Sequence, residues 1–321
     1  MLKPPPAGRI TTLVCLCILF CTGVAGDAAA QSTPAATAAR QTGRLGDERL
    51  IECSGVDAST ATGNVLWAIN DGGNGPFLYA LGFDGRSLGR VRVEGADNRD
   101  WEAIDAFRHH GAPMILIADV GDNRQRHATH TLYLVREPAV PDGGFAPAAA
   151  VPVERRIVFA YPDGGHDAEA VAVDPTGEAV LVLTKRDTPP LLFAVPLAPA
   201  AGGQPARARR IAAVDRIPPP TTDDLLQPYG RYRSQPTAMD LTADGLRAVV
   251  LTYKHAYVFR RLPGDSWEAA FTGAPQLIRL PLPEASMGFA QREAVCFAPD
   301  DASLVVTAEG PGAAVFNVPM E

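Results

Sequence analysis

The sequence predicts an all-β fold, a β-propeller of about five four-stranded blades. Three observations predict it. One unit (a short polar start, an alternating strand, an Asp/Gly turn and a strongly apolar strand) recurs five times along the 321 residues. Its spacing, about 50 to 70 residues, is that of a propeller blade rather than of a short solenoid repeat. The 30 Gly and 29 Pro are dispersed as small turn clusters, which implies many short elements.

The first element is a targeting segment. Lys3 and Arg9 precede an apolar run over residues 10–24, followed by the small residues Ala25, Gly26 and Ala28 to Ala30. This order is that of a secretory signal, with cleavage expected after Gly26 or Ala30. The run is short for a membrane span, which needs about 20 residues. Cys15, Cys17 and Cys21 each follow a bulky residue, which disfavours a lipid anchor. The expected organisation is a signal over 1–30, a polar linker over 31–43 and a single propeller over 44–321. The expected location is secreted or periplasmic, in a bacterium, with no span left after cleavage.

The blades follow in order. The first copy, ECSGVDASTATGNVLWAIND, begins at Glu52. The second, DWEAIDAFRHHGAPMILIADVGDN, begins at Asp100, and the third, DAEAVAVDPTGEAVLVLTKR, at Asp167. The fourth, PTAMDLTADGLRAVVLTYKH, begins at Pro236, and the fifth, REAVCFAPDDASLVVTAEG, at Arg292. Third strands are read in FLYALGF, TLYLVRE, LLFAVPL, AYVFRRL and AAVFNVP, and fourth strands in RVRVEGA, RRIVFAY, RRIAAVD and QLIRLPL. The turns Asp174-Pro175-Thr176-Gly177, Ala243-Asp244-Gly245 and Pro299-Asp300-Asp301 suit hairpins. The fifth copy has only three strands before Glu321. The segment 44–52, RLGDERLIE, is expected to supply the fourth and close the ring, which removes open sheet edges. The Pro-rich stretch 217–235 reads as a loop; a degenerate blade hidden there would make six.

The repeat also places chemistry. In a propeller the first strand of each blade lines the central channel, so its start and the end of the second strand converge on one mouth. The inner ring is Ser54, Glu102, Glu169, Thr237 and Glu293. The outer ring is Asn70-Asp71, Asp119, Lys185-Arg186, Tyr253-Lys254 and Glu309. Crowded carboxylates raise one another's pKa and must be paired, protonated or metal-bound. Two answers are open: Lys185, Arg186, Lys254 and Arg292 neutralise them, or a hard cation such as Ca²⁺ sits among the oxygens. A third reading makes the glutamates a purely structural network fixing blade to blade. The cation reading assigns Glu102, Glu169, Glu293 and Asp119 as ligands. It leaves Lys185, Arg186, Lys254, Asn70, Asp71 and Glu309 for a bound molecule.

Other constellations are weaker. There is no G-x-S-x-G, H-E-x-x-H or P-loop pattern. His109-His110 is read in a turn, His127 and His130 in a loop, and His166 as a proton-transfer candidate near the mouth. Cys53 and Cys296 either pair or serve as small core residues. Trp67 is expected in the core, Trp101 on the channel wall and Trp267 on an outer strand. A net charge of −7 argues against a nucleic-acid partner.

VLWAINDGGNGPFLYAL, DWEAIDAF, ILIADVGDNR, HDAEAVAVDPTG and EAVCFAPD resemble motifs of exported bacterial β-propellers, loosely similar to phytase-like esterase and SdiA-regulated-type propellers. The resemblance covers most of residues 50–320. It implies a calcium-associated mouth formed by Glu102, Glu169 and Glu293; Ser54 and Thr237 depart from its acidic pattern. The functional expectation is a mouth that binds a divalent cation and a small anionic or glycan ligand, or an envelope protein, without catalysis. The alternative is a calcium-dependent hydrolase of phosphate or other esters.

Overall fold

A computed structural model describes residues 38–176, 178–198, 203–281 and 291–320. The expected signal over 1–30 lies outside the described residues. Among the described residues no helix is long and apolar enough to cross a membrane.

Five four-stranded antiparallel blades are arranged about one axis. Strand β1 (Arg40–Arg44) belongs to the last of them. Blade 1 is β2–β5 (Cys53–Ala58, Leu66–Asn70, Phe77–Leu81, Ser87–Glu94). Blade 2 is β6–β9 (Trp101–His109, Ala112–Asp119, His130–Arg136, Ala150–Ala160). Blade 3 is β10–β12 (Ala168–Val173, Ala179–Thr184, Leu191–Pro196) with β14 (Arg209–Ala213); the short β13 (Ala206–Arg207) precedes the last strand. Blade 4 is β15–β18 (Pro236–Leu241, Arg247–Thr252, His255–Arg260, Gln276–Arg279). Blade 5 is β19–β21 (Ala294–Phe297, Ser303–Thr307, Ala314–Pro319), completed by β1. The inner strands β2, β6, β10, β15 and β19 touch in sequence and back to the first, closing a ring. Segment 217–235 carries no blade. It forms a short helix, α1 (Thr222–Leu225), and a 3₁₀ turn (Gly230–Tyr232).

The strands form because apolar and β-branched residues alternate or run together between turn residues. Their apolar faces make five core clusters among the described residues, one for each pair of neighbouring blades. Every blade is therefore held by both neighbours, and an open arc would leave two such faces wet.

Four local readings need correction. The closing strand is Arg40–Arg44, pairing Arg40 with Asn317 and Arg44 with Ala314, rather than 44–52. RQTGR lacks alternation because an outermost strand buries almost nothing; its burial is mostly exposed or partial. Leu45 and Leu50 gave 44–52 its strand-like look, but they anchor a turn in the core, where Leu50 N donates to Asp47 O at 3.0 Å. The strand also occupies the end of the expected linker. Trp267 opens a helix, α2 (Trp267–Thr272), capped by Ser266, and its indole donates to Asp174 Oδ2 at 2.9 Å. His130 begins β8 and is buried, because it continues the apolar strand TLYLV. Trp101 packs in the core between blades 1 and 2 rather than walling the channel. Cys53 and Cys296 are free and buried, and burial pushes the Cys53 thiol up to about 12.

Candidate functional site

The innermost strands of blades 1 to 4 open on a β-bulge. The pairings jump from Cys53 to Gly55, Trp101 to Ala103, Ala168 to Ala170 and Pro236 to Ala238. The residues skipped are Ser54, Glu102, Glu169 and Thr237, four of the five inner-ring positions. A bulge leaves one residue outside the ladder and re-aims its side chain, here at the end of a channel-lining strand. The ring then splits by chemistry. Ser54 Oγ donates to Trp101 O at 2.8 Å and Thr237 Oγ1 to Arg292 O at 2.7 Å, so these two tie blade to blade.

The glutamates behave differently. Lys185 projects from the end of β11 and ion-pairs with Glu169; both side chains are buried. Burial works against the ammonium charge, but Glu169, then Glu293 and Glu102, outweigh it and hold the Lys185 pKa above its ordinary value. Its ammonium also lies 5.2 Å from the centre of the Tyr253 ring. Tyr253 donates its hydroxyl to Glu293 Oε1 at 2.8 Å. Glu309 accepts from Gln291 Nε2 at 2.6 Å and lies against Glu293. Burial, then the Glu293 carboxyl, push Glu309 up to about 9. Glu169 is thus paired with an ammonium supplied by the chain itself, while Glu293 and Glu102 lie in its field without contacting it.

A second acidic group lies beside it, at the seam of blades 1 and 2. Asp71 follows β3, Asp100 precedes β6 and Glu102 is its bulge residue. One carboxylate oxygen from each lies within 4.8 Å of the others. Glu102 is 4% exposed and accepts no hydrogen bond from a described residue. Burial, then Glu169, Asp71 and Asp100, drive its pKa well up. Burial raises Asp71 to about 6 and also raises Asp100.

The remaining predicted residues take supporting positions. Asp119 Oδ1 accepts from Asp100 N at 3.1 Å and faces Arg99 at 3.5 Å, so it braces the acidic group without joining it. Asn70 is consumed by the backbone: its Oδ1 accepts from Ile51 N and Glu52 N at 3.0 Å each, and its Nδ2 donates to Arg49 O at 2.7 Å. Lys254 turns away to Asp224 on the 217–235 insert, at 2.7 Å. Arg186 Nε contacts the fully buried Asp167 Oδ2 at 2.6 Å. His166 is held between Asp187 at 2.9 Å and Asp163 at 3.0 Å. Above Lys185 and Arg186 a cavity of about 480 Å³ opens, also lined by Tyr229, Tyr232, Gln235, Tyr253 and Gln291.

Sequence reasoning missed two groups. Asp100 belongs to the acidic start that precedes the bulge, a position occupied by Glu52, Asp100 and Asp167 in the first three copies. Glu52 accepts from Asn74 and Asp167 meets Arg186, while Asp100 has no such partner among the described residues. The other group lies three residues down the inner strands: Asp57, Asp105 and Asp240, clustered and buried. Each accepts a backbone N–H of the next blade, from Ala106, Val173 (2.8 Å) and Phe297 (2.7 Å) respectively. The recurrence of Asp at that fourth position was visible in the copies.

No family model matches the sequence, and no curated protein matches it. Among solved structures, the chain is similar to the Myceliophteria thermophila Cps50 (Swd1) β-propeller domain, at 12% identity and TM-score 0.44, over 88% of this chain and all of that one. It is similar to a luciferin-regenerating enzyme at 12% identity and TM-score 0.42, over 84% of this chain and 78% of that one. Hydrazine synthase of Kuenenia stuttgartiensis is similar at 10% identity and TM-score 0.39, over 84% and 72%.

Proposed function

We propose that this propeller is an exported binding protein whose channel mouth takes a small anionic or sugar ligand, with a divalent cation on the acidic side. The observation that carries it is the 480 Å³ cavity in which two cationic side chains meet three tyrosines and two glutamines. Arg186, partly exposed beside Asp167, offers a guanidinium edge to an anion, the tyrosines flat faces for a sugar ring and the glutamines amides for hydroxyls. The resemblance to phytase-like esterase and SdiA-regulated-type propellers agrees with such a mouth. Calorimetry with inorganic phosphate, glucose 6-phosphate and glucuronate is the test. At least one is expected to bind, and Arg186→Gln and Tyr232→Ala are expected to weaken it about tenfold. Equal binding by both variants would remove the cavity from consideration.

A second reading, cation-dependent hydrolysis of a phosphate or other ester, is favoured by Glu309, whose carboxyl is pushed up to about 9 by burial and by Glu293 beside it. A carboxyl that keeps its proton near neutral pH is suited to protonating a leaving group. Turnover of nitrophenyl phosphate or acetate that disappears in Glu309→Gln would select it.

A further inference from the structure

We infer that the mouth's cation site is the group Asp71, Asp100 and Glu102 at the seam of blades 1 and 2, not the Glu169 and Glu293 side of the mouth beside Lys185. The inference rests on the mouth reading above and assigns its cation a place. Glu169 already has a counter-ion in the Lys185 ammonium, whose field also reaches Glu293. None of Asp71, Asp100 and Glu102 forms an ion pair with a described Lys or Arg. Their oxygens lie within 4.8 Å of one another. That is the ceiling for two oxygens each about 2.4 Å from one shared Ca²⁺.

The independent observation is Glu102. Its carboxylate is more than nine-tenths buried, aimed into this group, and without a hydrogen-bond donor among the described residues. A carboxylate this buried and without a protein donor is costly unless a proton, a water molecule or a cation meets it. The surroundings are arranged to keep the group close. A Cβ on Gly72 would stand 2.5 Å from Asp100 Oδ1, and one on Gly121 would stand 2.5 Å from Glu102 Oε1. Backbone without side chains therefore presses against two of the three carboxylates. Asn98 Nδ2 donates to Asn70 O at 3.1 Å and Asp71 O at 2.9 Å, pinning the Asp71 turn to the loop that carries Asp100. All donors are hard oxygens in a site of mixed strand and loop origin, which suits Ca²⁺ better than a softer ion.

The test uses the full chain after EDTA treatment. CaCl₂ binding is followed by calorimetry, and Tb³⁺ by luminescence excited through tryptophan, since Trp101 lies between Asp100 and Glu102 in the chain. Asp100→Asn and Glu102→Gln are each expected to weaken Ca²⁺ binding at least tenfold and to lose the sensitised Tb³⁺ signal. Glu293→Gln is expected to change Ca²⁺ affinity less than threefold. Near-UV circular dichroism confirms folding of each variant, and the two ligand variants stand in for one another. Ca²⁺ binding unchanged in both ligand variants, or lost equally in Glu293→Gln, would overturn the placement while leaving a cation at the mouth. No Ca²⁺ or Tb³⁺ binding by the wild-type chain would overturn the cation itself; the phosphate and sugar titrations would still judge the cavity.

Discussion

Replacing Lys185 by Met removes the ammonium that pairs with Glu169. Both partners of its ion pair are buried, with side-chain exposures of 7% for Lys185 and 5% for Glu169. Breaking such a pair from one side costs about 3–5 kcal/mol, because a charge is stranded rather than because a contact is lost. Here the lower end applies, since Glu169 can take up a proton once its neighbour is gone. Glu169 Oε2 already lacks a hydrogen-bond partner, so the stranded carboxyl gains no donor among the described residues. A loss of about 3 kcal/mol corresponds to a fall in Tm of roughly 6–9 °C for a domain of this size. Met fills the lysine stem's space, so packing changes little. Urea melts at pH 7 on wild type, Lys185→Met and the double variant Lys185→Met/Glu169→Leu measure it. The double variant is expected to recover most of the loss. If it is no more stable than Lys185→Met, or if Lys185→Met costs under about 1 kcal/mol, Glu169 is not held by its lysine.

His130 has both ring nitrogens buried without partners, and burial, then Arg99, lowers its pKa to about 4; His127 and His166 act the same way and Asp122 against it. The unfolded chain binds this proton from about pH 6.5 downward and the fold does not, so stability falls as pH drops from 6.5 to 4, by about 3 kcal/mol. His130→Phe should flatten that part of the stability–pH curve; an unchanged acid slope would show that other groups set it. Asp240→Ala should cost about 2 kcal/mol in a urea melt, because the N–H groups of Phe297 and Leu241 lose their acceptor, whereas Asp240→Asn should cost under about 1. Equal losses would mean that charge, not acceptance, is what the site uses. A chain begun at Leu45 lacks β1, leaves the outer edge of β21 unpaired and loses the Thr42 Oγ1 bond to Phe83 O at 2.8 Å; its thermal midpoint should fall by several degrees. An unshifted midpoint would make ring closure irrelevant to stability.

The blade pattern was legible because buried strands alternate or run apolar whatever surrounds them. The closing strand was not, since RQTGR buries almost nothing and carries no periodic signal. The inner ring was legible as a recurring position, yet the bulges that aim it are a property of pairing, which no single strand displays. Lys185 was foreseen as a neutralising charge. Its partition of the carboxylates into a side with a counter-ion and a group without one depends on which side chains reach which. Asp119 and Asn70 were read as ligands by composition, and both turned out to hold backbone. His130 and Trp267 were misplaced because local polarity and an aromatic in a loop-rich stretch outweighed the apolar strand and the Ser266 cap beside them.

Strand β9 pairs on its outer side with blade 1, where Arg92, Val93 and Glu94 match Ala150, Val151 and Pro152 in parallel, and its far end pairs with Ala206 and Arg207 of β13. Three successive blades are thus stitched at the rim as well as at the hub. A sheet edge that is already paired cannot recruit a strand from another molecule. Self-association through edges is therefore hindered where β5 and β9 are stitched and is left to the unpaired outer strands elsewhere. The stitched sector should also be the last to exchange its amide protons, so that the acidic seam between blades 1 and 2 sits in the slowest-opening part of the wheel.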